Sequence, residues 1–199
     1  MREERKSMLI VISGPSGVGK GTIYNRLLEN DKSLTFSVSV TTRAPRPGER
    51  DGVDYFFISE EEYSLLLEED AFLEHATVHG HSYGTLRSQV AEKMAQGRSV
   101  LLDIDPQGAR NVMAACQDCV SIFLLPPSYE VLRKRLYGRN TDRPDEIERR
   151  LKNAQGEIEQ ANLYQYAVVN DDLDTAYQQV SAIITAEKLR TTRYFPVVE

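Results

Sequence analysis

The stretch best suited to chemistry lies close to the start of the chain. Gly14-Pro15-Ser16-Gly17-Val18-Gly19-Lys20-Gly21-Thr22 follows directly on the apolar run Met8-Leu9-Ile10-Val11-Ile12-Ser13. A short apolar strand that opens into a glycine-rich turn and then a lysine is the arrangement of a phosphate-binding loop. Glycines let consecutive backbone N–H groups converge on an anion, and the helix that follows adds its positive N-terminal end. Lys20 supplies a mobile charge for the outer phosphates. Gly21 stands where Ser or Thr usually meets Mg²⁺, and Thr22 comes one residue late. The stretch from Gly14 to Thr22 is therefore expected to cradle phosphates without coordinating a metal directly.

A second group follows in Ser39-Val40-Thr41-Thr42-Arg43-Ala44-Pro45-Arg46-Pro47-Gly48. Pro45 and Pro47 favour extended, polyproline-like backbone, which repeats about every three residues. Arg43 and Arg46 can then point the same way, and two convergent guanidinium forks suit a phosphate monoester. The plainer alternative is a pair of solvated loop arginines. Asp103 and Asp105 close the apolar run Ser99-Val100-Leu101-Leu102. Two apart on a strand, they are expected on one side of the pleat, at the sheet edge beside the loop, near Mg²⁺ waters or the acceptor. Cys116 and Cys119 form a lone C-x-x-C and are expected to be reduced thiols. His75, His79 and His81 have no matching ligand constellation around them and read as surface or pocket-lining residues.

The elements that must hold these groups alternate between short apolar runs and helical stretches, which predicts an α/β fold with a largely parallel sheet. Core strands are expected at Leu9–Ser13, Phe36–Val40, Val100–Ile104, Val120–Leu125 and Tyr166–Val169. Helices are expected over Lys20–Glu29, with Ile23, Leu27 and Leu28 inward, and over Leu86–Gln96, Ser128–Tyr137 and Asp172–Leu189. Between Thr41 and Tyr83 the rhythm breaks. A strand-like Val53–Ile58, a helix opened by the capping box of Ser59 and Glu62, and a strand-like Ala71–Val78 suggest a small inserted lobe. At 199 residues, 41% hydrophobic and 27% charged, the chain can bury one domain's core. A net charge of −6 argues against a nucleic-acid surface. No apolar run is long enough for a signal peptide or a membrane span, so cytoplasm is the expected location.

Taken together, these residues resemble guanylate kinase over nearly the whole chain, from Leu9 to about Lys188. The resemblance rests on Gly14-Pro15-Ser16-Gly17-x-Gly19-Lys20, Thr41-Thr42-Arg43-x-Pro45-Arg46, Asp51-Gly52-x-Asp54-Tyr55-x-Phe57, Phe72-Leu73-Glu74, Tyr83-Gly84-Thr85, Asp103-Ile104-Asp105-x-Gln107-Gly108 and Asn170-Asp171-Asp172. It implies a P-loop NTPase-like parallel sheet flanked by helices, with an inserted GMP-binding lobe and a helical lid. The core would take up about 8–40, 86–135 and 163–190, the lobe 41–85 and the lid 136–162. It further implies phosphorylation of GMP, and of dGMP, by ATP with Mg²⁺.

In that family Arg43 and Arg46 would grip the GMP phosphate, helped by Ser39, Tyr55 and Tyr83. Glu74 would read guanine N1–H and the 2-amino group, and Thr85 would hydrogen-bond the guanine too. Asp103 and Asp105 would belong to the active site. Arg135, Arg139 and Arg150 would fold over the ATP phosphates as lid arginines, and Asn170 and Asp171 would lie on the adenine side. Mg²⁺ would be held through ATP phosphates and waters. ATP and GMP would be the partners, with a homodimer as a candidate assembly and neither nucleic acid nor membrane involved. His81-Ser82 replaces a common Asn-Tyr, which removes one aromatic wall of the lobe. Two rival readings are a kinase for another nucleoside monophosphate, which should not keep Glu74 with Thr85, and a non-catalytic protein-interaction module of guanylate kinase shape.

Overall fold

Nine strands and seven helices cover the described part of the chain, and the glycine loop leaves the middle of the larger sheet. The computed structural model describes residues 6–78, 80–138 and 144–194. The chain opens with β1 (Leu9–Ser13), α1 (Lys20–Asn30) and β2 (Leu34–Phe36). Next come β3 (Val40–Thr41), β4 (Phe56–Phe57), α2 (Glu60–Glu68), β5 (Phe72–Val78) and β6 (His81–Leu86). The third stretch is α3 (Arg87–Ala95), β7 (Ser99–Asp103), α4 (Pro106–Ala115), β8 (Val120–Leu125) and α5 (Tyr129–Tyr137). Finally α6 (Pro144–Ile158) leads through a short 3₁₀ turn to β9 (Tyr166–Val169) and α7 (Leu173–Lys188).

Five strands form a sheet in the order β2-β7-β1-β8-β9, parallel throughout. Its central strand β1 is buried at every residue, because helices cover both faces, and its one polar side chain, Ser13, is satisfied by the Ile104 carbonyl at 2.9 Å. One face packs Ile10, Ile12 and Leu124 against Ile23 and Leu27 of α1 and Val180 and Ile184 of α7. The other packs Val11, Leu102 and Phe123 against Val90 of α3 and Val112 of α4. On α1 the third inward side chain is Tyr24, whereas Leu28 is only half-buried. The Tyr24 hydroxyl is shared between the carbonyl oxygens of Ile12 and Leu102, at 2.6 and 2.7 Å, so it bridges β1 and β7 beneath the loop.

The stretch expected as one strand over Phe36–Val40 is two. Phe36 ends β2 in the parallel sheet, and Val40 begins β3 in a separate four-stranded sheet of order β4-β3-β6-β5. The Ser37-Val38-Ser39 link between them is where the chain leaves the core. Val53–Ile58 likewise shrinks to Phe56–Phe57, preceded by turns, because Gly52 and Asp54 favour turn geometry over a ladder. The capping box of α2 is present: Ser59 accepts from the Glu62 N–H, and the Glu62 side chain accepts from the Ser59 N–H. Strand β6 has no apolar run to announce it and is held by antiparallel pairing with β5 and β3. Helix α4 is a further element beyond the expected set, although Asp105 as its N-cap and Pro106 in its first turn are start signals. Both cysteines are free thiols. Among the described residues no helix is long and apolar enough to cross a membrane.

Candidate active site

The glycine loop is fixed by its own sterics. Gly14 has φ +147° and Gly19 φ +103°, backbone that side-chain-bearing residues rarely adopt. A Cβ on Gly14 would stand 2.4 Å from the Leu124 carbonyl oxygen, and one on Gly19 2.5 Å from Asn170 Nδ2. The loop is thus wedged between the ends of β8 and β9. Lys20 Nζ donates to the Gly14 carbonyl at 2.6 Å, folding the lysine back across the turn. Gly14, Ser16, Gly17, Gly19, Lys20 and Gly21 line a cavity of about 640 Å³. Pro15 and Val18 are buried beneath it, and Thr22 is exposed on the first turn of α1, off the cavity wall. A side chain at Gly21 would meet nothing within 4 Å.

Two of the residues expected at the nucleotide brace this loop. Asn170 is buried, and its Nδ2 donates to the Val18 carbonyl at 2.8 Å. Arg135 donates from Nη1 to the carbonyls of Asn170 at 2.9 Å and Val18 at 3.3 Å, and from Nη2 to that of Asp171 at 3.4 Å. Its guanidinium therefore clamps the loop to the end of β9 and does not line the cavity. Arg139, the remaining expected lid arginine near it, lies outside the described residues, as do His79, Asn140 and Arg143.

Another wall of the same cavity comes from the smaller sheet and the segments on either side of β3: Ser39, Arg43, Arg46, Tyr55, Glu74 and Tyr83. The Arg43 guanidinium lies 5.4 Å from the Tyr55 ring centre and 5.8 Å from that of Phe57, with Nη1 donating to the Ala44 carbonyl at 2.7 Å. Glu74, on β5, is 5% exposed and accepts the Thr85 hydroxyl proton at 2.7 Å. Thr85 itself is fully buried behind Glu74, off the cavity wall. Burial pushes the Glu74 carboxyl up to about 7, with the nearby Asp105 charge adding to the rise and the Thr85 hydrogen bond opposing it. A Cβ at Gly108 would fall 2.4 Å from Glu74 Oε2, so the first turn of α4 has room for this carboxylate only because residue 108 has no side chain.

Asp103 and Asp105 both line the cavity, but not as two positions of one pleat. Strand β7 ends at Asp103, and Asp105 caps α4, its carboxylate accepting the Gly108 N–H at 2.7 Å. Burial raises the Asp103 carboxyl above its ordinary range, with the Lys20 charge opposing. Helix α6 supplies a third wall with Glu146, Arg149, Arg150 and Glu157. Arg150 reaches the loop, donating from Nη1 to Ser16 Oγ at 3.1 Å and from Nη2 to Glu146 at 2.9 Å. Glu146, Arg149 and Glu157 are cavity residues that sequence reasoning missed. A signal was available for Glu157, which stands seven residues, two helical turns, after Arg150 and shares its face. Its carboxyl is pushed up by burial, with Lys20 opposing and Asp105 adding.

This geometry can hold a polyphosphate on the glycine loop and a phosphomonoester on Arg43 and Arg46 in one cavity, with the buried Glu74 carboxylate on its wall. The chain matches the family model described as guanylate kinase over residues 6–187. It is 49% identical over 193 residues to the guanylate kinase of Caldanaerobacter subterraneus, covering 97% of this chain and 94% of that protein. It is 50% identical over 193 residues to that of Symbiobacterium thermophilum, covering 97% and 92%. The crystal structure of guanylate kinase from Anaplasma phagocytophilum superposes with a TM-score of 0.81 at 38% identity, covering 96% of this chain and 92% of that one. The match of cavity, sequence and fold leads to one conclusion: the chain belongs to the guanylate kinase family.

Proposed function

We propose that the protein transfers the terminal phosphoryl group of ATP to GMP, giving ADP and GDP. The observation that carries this reading is a single cavity walled on one side by the glycine loop and Lys20, and on the other by Arg43, Arg46 and Glu74. The acceptor oxygen of GMP is already anionic, so transfer calls for alignment and charge stabilisation and for no strong base. Loop N–H groups and Lys20 hold the donor phosphates, and Arg150, already on Ser16, meets charge on the group in transit. Arg43 and Arg46 bind the acceptor phosphate with Ser39, Tyr55 and Tyr83. Glu74 accepts from guanine N1–H and the 2-amino group, which adenine lacks, and Thr85 acts through Glu74 by orienting its carboxylate. Arg135 and Asn170 act on the donor side by holding the loop's shape.

The residues fit a Mg²⁺ ion that arrives on ATP. No group of three or more His, Cys, Asp or Glu among the described residues could hold a metal alone, and Gly21 offers no hydroxyl. Asp103, Asp105 and Glu157 would face its water shell. When bound, the ion neutralises phosphate charge. In this reading residues 41–85 form the acceptor lobe and 136–162 a lid that excludes water. The enzyme works in the cytoplasm, and dGMP serves as a second acceptor, since Glu74 addresses the base and the two arginines the phosphate.

A coupled ADP-release assay across GMP, dGMP, AMP and CMP tests the proposal. Turnover with GMP far above AMP is expected. Preference for AMP would overturn the role of Glu74, and no turnover with any acceptor would leave only a non-catalytic interaction module.

A further inference from the structure

Glu49 belongs to no cavity wall, yet it engages both acceptor arginines. Arg43 Nη2 donates to the two Glu49 carboxylate oxygens, each at 2.9 Å. Glu49 Oε2 also accepts the Arg46 backbone N–H at 2.7 Å, and the Glu49 N–H donates to the Arg46 carbonyl at 3.0 Å. The ion pair is largely covered, its side chains 11% and 19% exposed. One residue thus ties the guanidinium of the first arginine to the main chain of the second and closes the loop from 43 to 49 on itself.

A carboxylate beside a phosphate-binding arginine can do one of two things. It can occupy the phosphate's place until the ligand displaces it, or it can hold the arginine from behind. Position decides between them. Arg43 and Arg46 line the cavity and Glu49 does not, so the carboxylate holds Arg43 from off the cavity wall, while the same guanidinium meets Tyr83 on that wall. The aromatic rings of Tyr55 and Phe57, at 5.4 and 5.8 Å, flank the same guanidinium, and Glu49 supplies the two charge-assisted hydrogen bonds that hold its Nη2, beside the Ala44 carbonyl on Nη1 and the Tyr83 hydroxyl. We infer that Glu49 is a positioning residue for the acceptor phosphate: it fixes the angle and spacing between the Arg43 and Arg46 forks before GMP arrives. The inference rests on the reading of Arg43 and Arg46 as the GMP-phosphate ligands.

The sign of one substitution separates this from simple electrostatics. Removing a negative charge near a phosphate site should tighten anion binding if charge alone mattered. Glutamine in place of Glu49 would keep the volume but offer one acceptor oxygen instead of two, and would set an amide N–H₂ against existing donors. For E49Q we expect GMP affinity, read by calorimetry without ATP, to weaken by roughly 10-fold or more. The loss should fall mainly on the KM for GMP and less on kcat, with the KM for ATP and the melting temperature little moved. E49D, which keeps both oxygens on a shorter stem, should recover part of the loss. Unchanged or tighter GMP binding in E49Q would overturn the inference, and so would an equal rise in the KM for ATP. R43A keeps the two readings apart. If R43A loses GMP while E49Q retains it, the positioning role alone falls. If R43A also binds GMP normally, the acceptor reading falls and the positioning role with it.

Discussion

The two halves of the cavity are held in place by different means. The donor loop sits on β1, whose side chains belong to the two large core clusters, and its path is dictated by backbone sterics at Gly14 and Gly19. The acceptor wall belongs to a small sheet whose own buried cluster contains only Val40, Tyr63 and Phe72. There the functional groups are set by side-chain pairs: Arg43 with Glu49, and Glu74 with Thr85. The contrast teaches that phosphate recognition on the donor side is inseparable from folding, whereas acceptor recognition can be altered with the core left intact.

The largest expected break falls on the donor side. Lys20→Ala should lower kcat by about 10³-fold, since one preorganised cationic donor contributes on that scale, while calorimetry finds GMP still bound. Loss of GMP binding along with kcat would contradict the separation of the two halves. Gly14→Ala should lower unfolding free energy by about 3 kcal/mol or more, because the new Cβ meets the Leu124 carbonyl in a backbone conformation closed to alanine. Gly48→Ala makes the matched test in the acceptor loop. Its φ is +90° but nothing lies within 4 Å, so a loss of only about 1 kcal/mol is expected in thermal melts.

Glu74 lets the comparison be sharpened by pH. Its folded carboxyl lies near 7 against an ordinary value of 4.5, mainly through burial. Between those values the folded state holds a proton that the unfolded chain has released, so this group's contribution to stability is full below pH 4.5 and is lost as pH rises through 7. The loss is on the order of 3 kcal/mol. Glu74→Gln should abolish that slope and leave the variant more stable than its parent at about pH 8 in denaturant titrations. Its GMP-over-AMP preference should fall by roughly 10- to 100-fold. Below about pH 7 the protonated carboxyl of the parent can no longer accept from two guanine donors, so the KM for GMP should rise from about pH 8 to about pH 6. A flat profile would remove Glu74 as the base reader. The smallest effect is expected at Gly21→Ser, where the open space around the position predicts stability within about 0.5 kcal/mol of the parent.

Much of this is legible in the sequence, and unevenly so. Strands β1, β8 and β9 have the bounds that their largely apolar runs predict, since strands of a parallel sheet packed beneath helices draw mainly on apolar residues. The glycine loop and the Arg43–Arg46 pair are legible because spacing and residue type suggest phosphate chemistry there, whereas Glu74 is singled out only by the family resemblance. Strand β6 is not, as His81-Ser82-Tyr83-Gly84-Thr85-Leu86 owes its extended form to neighbours far away in the chain. The departure of Asp105 from the strand turns on a cap, a local hydrogen bond that competes with the ladder. Arg135 and Asn170 are expected beside the nucleotide only through the family resemblance. Nothing in their spacing shows that three main-chain carbonyls would claim the one and Val18 the other.

Gly108 carries a consequence for how the acceptor site can evolve. Glu74 on β5 and the glycine on α4 come from separate elements, yet they share one volume: with Glu74 where it stands, a Cβ at 108 meets its carboxylate. The two positions are therefore epistatic. A side chain gained at residue 108 would have to push the Glu74 carboxylate aside, so a change made at α4 is felt on β5 without any direct contact with a ligand.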